Sequence, residues 1–315
     1  MTAAQPSLSP TQEPPVRVIE PLKRWQPLDL RELWQYREMM VFLIWRDIRV
    51  RYRQTILGAL WAVIQPFITM IVFTFVFGRI AKMPSDGIPY PLFSYVGLLP
   101  WNFFSTGLSK ASTSLVSNSS LIRKIYFPRL VLPITAIVSG ITDFLLSLAM
   151  LVILYVYYAA TVPTLLPTGL YPVAGGSLVT DLFASSAAYF HITLNILWVP
   201  VLLLLAFLSS LAVSLWLAAL NASFRDIGYA LGFVTRMLLY LTPVIYPISA
   251  LPSELRLIAA LNPITGVVEG FRWAMLGAQT APGPYMIVAT AVTLVLLVTG
   301  AFYFRRIERT FADIV

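Results

Sequence analysis

Apolar residues in this chain come in runs too long for one face of a soluble helix, and short polar joints separate the runs. Five of them read as spans, at about Ile56–Gly78, Leu130–Tyr158, Ile192–Leu220, Tyr229–Tyr246 and Tyr285–Phe304. About 20 apolar residues are enough for a helix to cross a bilayer. A sixth stretch, Leu92–Leu108, is interrupted by Gly97, Pro100 and Asn102 and runs into STGLSKASTSLVSNSS. Small and hydroxylated side chains of that kind either allow close helix contact or line a watery path. The pattern predicts an all-α integral membrane protein with six transmembrane helices, its spanning domain covering residues 56–315.

Two further segments do not fit as spans. Residues 1–28, with Pro6, Pro10, Pro14, Pro15 and Pro21, read as an extended or disordered arm without the apolar core of a signal peptide. Residues 29–55 then read as an amphipathic helix, opened by Asp29 and Glu32 in an acidic capping box. Its purely apolar core, Met39–Trp45, is too short to cross, so the helix is expected to lie in the cytoplasmic interface with Trp34 and Trp45 at headgroup depth. The stretch Pro247–Pro284, divided by Pro252, Pro263 and Gly266, reads as external re-entrant helices between spans five and six.

Charge fixes the expected orientation. Arg46, Arg49, Arg51 and Arg53 precede the first span, Arg123, Lys124 and Arg129 the third, and Arg305, Arg306 and Arg309 follow the last. Of 22 basic residues, only Arg79, Lys82, Arg256 and Arg272 fall in segments placed outside. Lys and Arg beside spans are retained in the cytoplasm, so both termini are expected inside, in a multi-pass protein of a bacterial inner membrane. Composition agrees: 58% of residues are hydrophobic, 11% charged, and cysteine is absent, which excludes thiolate chemistry and disulfides. The net charge of +8 sits beside apolar spans and suits anionic lipid rather than nucleic acid. The lone His191 makes no histidine-rich metal site, and no metal ligands are assigned.

No GxxxxGK[ST], HExxH or GxSxG pattern occurs. Four segments in order, WRDIRVRYRQTILGALWAVIQP (Trp45–Pro66), LIRKIYFPRLVLP (Leu121–Pro133), NASFRDI (Asn221–Ile227) and LNP (Leu261–Pro263), resemble the permease subunits of bacterial ABC exporters for O-antigen, capsule and teichoic-acid polysaccharides. The long outer insertion of residues 160–190 is a departure from that pattern. The resemblance implies a homodimer on two separate ATPase subunits, which would bind ATP and Mg; this chain itself needs no cofactor. It also implies coupling helices at Ser119–Phe127 and Asn221–Ile227. Ile122, Ile125, Tyr126 and Phe127 would enter a groove of the ATPase while Arg123 and Lys124 orient them, with Phe224, Arg225 and Asp226 in the second segment. The bland reading of these loops is a basic, lipid-facing surface.

With such a substrate, Arg46, Arg49 and Arg53, spaced on one helix face, become candidates for the phosphate of a lipid-linked glycan. Plain anchoring to anionic lipid is the competing account. Trp101 and Phe104, then Tyr95, Phe271 and Trp273, are candidates for stacking sugar rings in a channel, against an interfacial aromatic belt. Asp143, Arg236 and Glu269 are ionisable groups within or near spans. Glu269 and Arg272, at i and i+3, suit an ion pair, and Arg236 reaches Asp143 only if it extends outward. The resemblance thus implies the transmembrane subunit of an ATP-driven exporter of lipid-linked polysaccharide, with no catalytic residues. A membrane glycosyl or acyl transferase and an ion-coupled secondary transporter are the alternatives.

Overall fold

In a computed structural model of the chain, residues 30–53, 58–165, 194–224, 226–277, 283–308 and 311 are described. The expected arm, Asp29, His191 and most of the outer insertion lie outside them. The described residues form helices and turns, with no strand among them.

The amino-terminal helix is two pieces, α1 (Leu30–Gln35) and α2 (Arg37–Tyr52). Tyr36 interrupts them at φ −92° and ψ 17°, its amide bonding Leu33 O at 3.1 Å. Val41, Phe42 and Trp45 are exposed, Leu43 is buried, and Arg46 and Arg51 reach Asn118 and Asp143 of the following helices.

The first span begins as a 3₁₀ turn at Gly58–Leu60, continues as α3 (Trp61–Phe73), and ends in a π-helical stretch, Thr74–Ile80. After a turn, α4 (Tyr90–Ser117) runs unbroken for 28 residues. The interruption expected at Gly97, Pro100 and Asn102 does not occur, and every residue from Tyr90 to Trp101 is buried. Of the two readings of its small residues, close packing is the one realised along this face. A Cβ on Gly107 would stand 2.7 Å from Ser210 Oγ, which itself donates to Phe104 O.

Next come α5 (Ser119–Lys124), α6 (Val131–Val138) and α7 (Ile141–Leu165). The third span is thus stepped at Ser139–Gly140, and α7 reaches past residue 160, where the outer loop was expected. A 3₁₀ turn at Leu194–Trp198 leads into α8 (Val199–Ser223). Then follow α9 (Asp226–Leu241), α10 (Ser253–Ala260), α11 (Thr265–Leu276) and α12 (Gly283–Ile307). Gly277, at φ 64°, ends α11 in the left-handed region that glycine adopts freely.

Contacts define two ends of the bundle. At one, Tyr90 Oη donates to Ile245 O at 2.8 Å, and Ser249 Oγ to Asp86 Oδ1 at 2.7 Å. At the other, Arg46 reaches Asn118 at 3.0 Å, and Arg305 lies 3.9 Å from Glu32. The chain passes between these ends along α3, α4, α6–α7, α8, α9 and α12. Among the described residues, four helical stretches are long and apolar enough to cross a membrane: Gly58–Ile80, Val131–Tyr157, Leu194–Ser223 and Gly283–Ile307. At about 1.5 Å per residue α9 is roughly 24 Å long, short of a bilayer core of about 30 Å. The chain continues past it through the buried turn Thr242–Ile245.

Candidate functional site

Three groups of side chains carry the polar chemistry of the bundle. The first is at the end that holds α5 and both described chain ends. There Ile122 and Phe127 are buried, while Ile125 and Tyr126 are 55% and 72% exposed. Two of the four apolar residues expected to enter a partner groove therefore anchor the segment, and two project from it. A recess of about 220 Å³ is lined by Ile122 to Phe127 and Arg129.

The loop is braced from below. The Arg129 amide donates to Glu308 Oε1 at 3.0 Å, and its guanidinium donates to the Glu308 carbonyl. Burial pushes the Glu308 carboxyl above its ordinary pKa, against the bond from the Arg129 amide and the charges of Arg305 and Arg129. Phe311 then packs edge-on to Phe304, with ring centroids 5.3 Å apart. In the second expected coupling segment Phe224 is 62% exposed and Asp226 exposed, while Arg225 lies outside the described residues. The Asn221 amide donates to Ser112 O at 3.1 Å, which hangs this segment from the same end of α4 that carries α5.

The second group joins α2 to the spans. Arg46 donates from Nε and Nη2 to Asp47 Oδ1, at 3.0 and 2.9 Å, and from Nη2 to Asn118 Oδ1. Arg49 is exposed, 5.4 Å over the Trp45 ring, and Arg53 is exposed at the helix end. Their shared spacing hence does not give them a shared environment. Arg51, five residues beyond Arg46 and so on another face, pairs with Asp143, which also accepts a hydrogen bond from the Tyr52 hydroxyl. A second Arg51 nitrogen reaches Ser139 Oγ at 3.1 Å, at the α6–α7 step. The condition for an Asp143–Arg236 pair is not met: Arg236 is exposed on α9, and Asp143 is engaged by Arg51. The signal in the sequence was a lone carboxylate in a span together with one collar arginine off the common face.

The third group is at the opposite end. Arg272 is 1% exposed and donates to Pro243 O at 2.6 Å, Val244 O at 2.7 Å and Glu269 Oε1 at 3.0 Å. The expected Glu269–Arg272 pair is present, but a larger task of Arg272 was not foreseen: it binds two buried carbonyls of the turn that follows α9. Glu269 accepts in turn from the Ile248 amide at 3.2 Å.

The aromatic candidates divide sharply. Tyr95, Trp101, Phe104 and Phe271 are at most 4% exposed, packed among neighbouring helices rather than facing a lumen. Trp101 and Phe104 are tilted against each other at 5.9 Å, and Phe271 meets Phe144. Trp273 is half-buried beside Trp198.

Apolar helices long enough for a bilayer, joined at both ends by ion pairs and carrying a braced, exposed loop at one of them, define an integral membrane protein. The chain belongs to the ABC-2 type transporter family, whose profile matches residues 39–276. Among curated relatives it is similar to the O-antigen export system permease protein RfbA of Myxococcus xanthus, 28% identical over 287 residues, which are 90% of this chain and 98% of that protein. A Klebsiella pneumoniae protein of the same name is 24% identical, covering 88% of this chain and 95% of its own. The polysialic acid transport protein KpsM of Escherichia coli is 24% identical, covering 84% and 92%.

Proposed function

We propose that this chain is the permease subunit of an ATP-driven exporter that moves lipid-linked polysaccharide of the O-antigen or capsule type across the inner membrane. The observation that carries the reading is the pairing of family membership with the α5 loop, whose Ile125 and Tyr126 project while Ile122, Phe127 and the Arg129–Glu308 brace hold it rigid. The names of its relatives support the polysaccharide. With no phosphate-cradling loop in its own sequence, the chain takes its power from separate ATPase subunits that bind ATP and Mg. Two copies of the chain and two ATPases make the working unit.

In this reading all six passes cross the membrane, α4 and α9 sheltered by neighbours rather than bathed in lipid. The arginine-rich joints support a cytoplasmic position for both termini, with α10–α11 as re-entrant helices on the outer side. Nucleotide-driven closure of the ATPases pushes on Ile125 and Tyr126, and the braced loop passes that motion to α4 and α12. The test is to reconstitute the chain with its candidate ATPase and compare Ile125→Ala, Tyr126→Ala with the parent. ATPase stimulation by substrate falls in the variant while expression holds. Unchanged stimulation, or export driven by an ion gradient without any ATPase, sinks the proposal.

A further inference from the structure

We propose that Lys110 anchors a site for the phosphate ester of a membrane lipid, at the junction of α2, α4 and α7, and that the lipid carrier of the substrate is held there at the inner leaflet. The source of the phosphate rests on the export reading above; the site itself rests on the following geometry.

The charged groups acting on Lys110 are Arg51, Asp143 and Asp47. Both carboxylates are already engaged: Asp47 by Arg46 at 2.9 Å, and Asp143 by Arg51 and Tyr52. The Lys110 ammonium makes no hydrogen bond or ion pair with the described residues; its carbonyl accepts from Thr113 Oγ1 at 3.2 Å. Counting Arg46, three cations thus stand against two carboxylates, and the surplus is an ammonium on a membrane helix. A half-buried ammonium without an anion is costly, and ionisable groups inside spans usually mark a ligand or a partner.

The site's depth follows from helix lengths. Arg46 grips Asn118 at the end of α4, and Arg51 lies further along α2, near Lys110, so α2 climbs beside the last turns of α4. Lys110 is eight residues before Asn118, about 12 Å along the axis. With 28 residues, α4 is about 42 Å long, against a hydrocarbon core of about 30 Å. Shared between the two ends, the excess of about 12 Å sets the Lys110 backbone about 6 Å inside the boundary between headgroups and acyl chains, a depth from which an extended lysine reaches a lipid phosphate. The junction is also reachable, since the Arg51 and Asp143 side chains keep 20% and 28% of their exposure. Lysine meets phosphate as a point charge, and the neighbouring Arg51 guanidinium adds to the field. Arg46 and Arg49 of the collar are meanwhile occupied by Asp47, Asn118 and Trp45.

The experiment uses the full chain in phosphatidylcholine nanodiscs, with farnesyl pyrophosphate as probe and native mass spectrometry and thermal shift as readouts. Wild type binds the probe and gains thermal stability from it. Lys110→Gln binds about tenfold more weakly and loses the shift, and Lys110→Arg restores both. Asp47→Asn, which removes a carboxylate and frees Arg46, binds more tightly; this arm stands even if Lys110→Gln fails to fold. Competition by phosphatidylglycerol equal to that of the probe assigns the site to bulk anionic lipid. Competition by the pyrophosphate alone supports the substrate carrier. Equal binding by wild type and Lys110→Gln, the result expected if the ammonium merely snorkels to water, overturns the site. Binding is read without ATP, so failure of the wild type to export with its ATPase would sink the export reading and leave this site standing.

Discussion

The Arg272 guanidinium lies 3.7 Å over the ring of Phe93, and from that seat it holds the carbonyls of Pro243 and Val244 at 2.6 and 2.7 Å. It clasps the turn that follows α9 from α11, so that turn and α11 are fastened to α4 as one body. Arg272→Ala strands Glu269 and two buried carbonyls. Removing one partner of a buried pair costs about 3–5 kcal/mol, and a loss of that order in unfolding experiments in detergent is expected. Arg272→Lys recovers only part of it, because an ammonium cannot stack as a plane and reach three acceptors together. Full stability in Arg272→Ala would show that the clasp is idle.

Gly97 is the space that Arg272 occupies. A Cβ there would stand 2.8 Å from Arg272 Nη2 and 3.3 Å from Val244 O, so Gly97→Ala should destabilise by about 1–3 kcal/mol. The same substitution in an Arg272→Ala background should cost clearly less, since the nearer clash is gone. A double-mutant cycle checks this: additive effects mean that the two residues do not share the space.

Much of the membrane architecture was legible because apolar run length is a one-dimensional signal. The four apolar spans lie within a few residues of their expected ends, and even the i, i+3 pair Glu269–Arg272 was visible as a local spacing. Partners distant in sequence were not. Arg46, Arg49 and Arg53 share a helical face, yet Asp47, Asn118 and Trp45 decide what two of them do, and Asn118 is 72 positions from Arg46. The aromatics of α4 looked suited to a channel because composition does not say which side of a helix the neighbours occupy. Pro100 read as a break, but packing all round the Tyr90–Trp101 half of α4 outweighs one missing amide. Lys110 stood out only once the carboxylates around it were seen to be taken.

Asp143→Asn should loosen the hold of α2 on the spans. Its pair with Arg51 is partly exposed, so the expected cost is about 1–3 kcal/mol rather than that of a fully buried charge. The loss is local: hydrogen exchange should rise in residues 46–52 and stay unchanged in 265–276. Arg51→Gln should act alike, and the double variant should cost little more than either single one. A uniform rise in exchange across the protein would contradict the local account.

Glu308 supplies a pH dependence whose sign can be worked out. Burial raises its carboxyl pKa in the folded protein, so between the ordinary carboxylate value and the raised one the folded state holds a proton that the unfolded state has released. Over that window the unfolded state binds fewer protons, and stability falls as pH rises; below it the difference vanishes, and above it the penalty is constant. Glu308→Gln keeps a carbonyl oxygen for the Arg129 amide, 3.0 Å from Oε1, and removes the charge that burial opposes. The variant should therefore match wild type in acid and exceed it increasingly toward neutral pH, with the slope in this window reduced. Thermal unfolding of both proteins across pH 4 to 8 tests it. The opposite trend, with Glu308→Gln losing ground as pH rises, would mean that Arg129 and Arg305 together outweigh burial and that the brace under the α5 loop is held by charge.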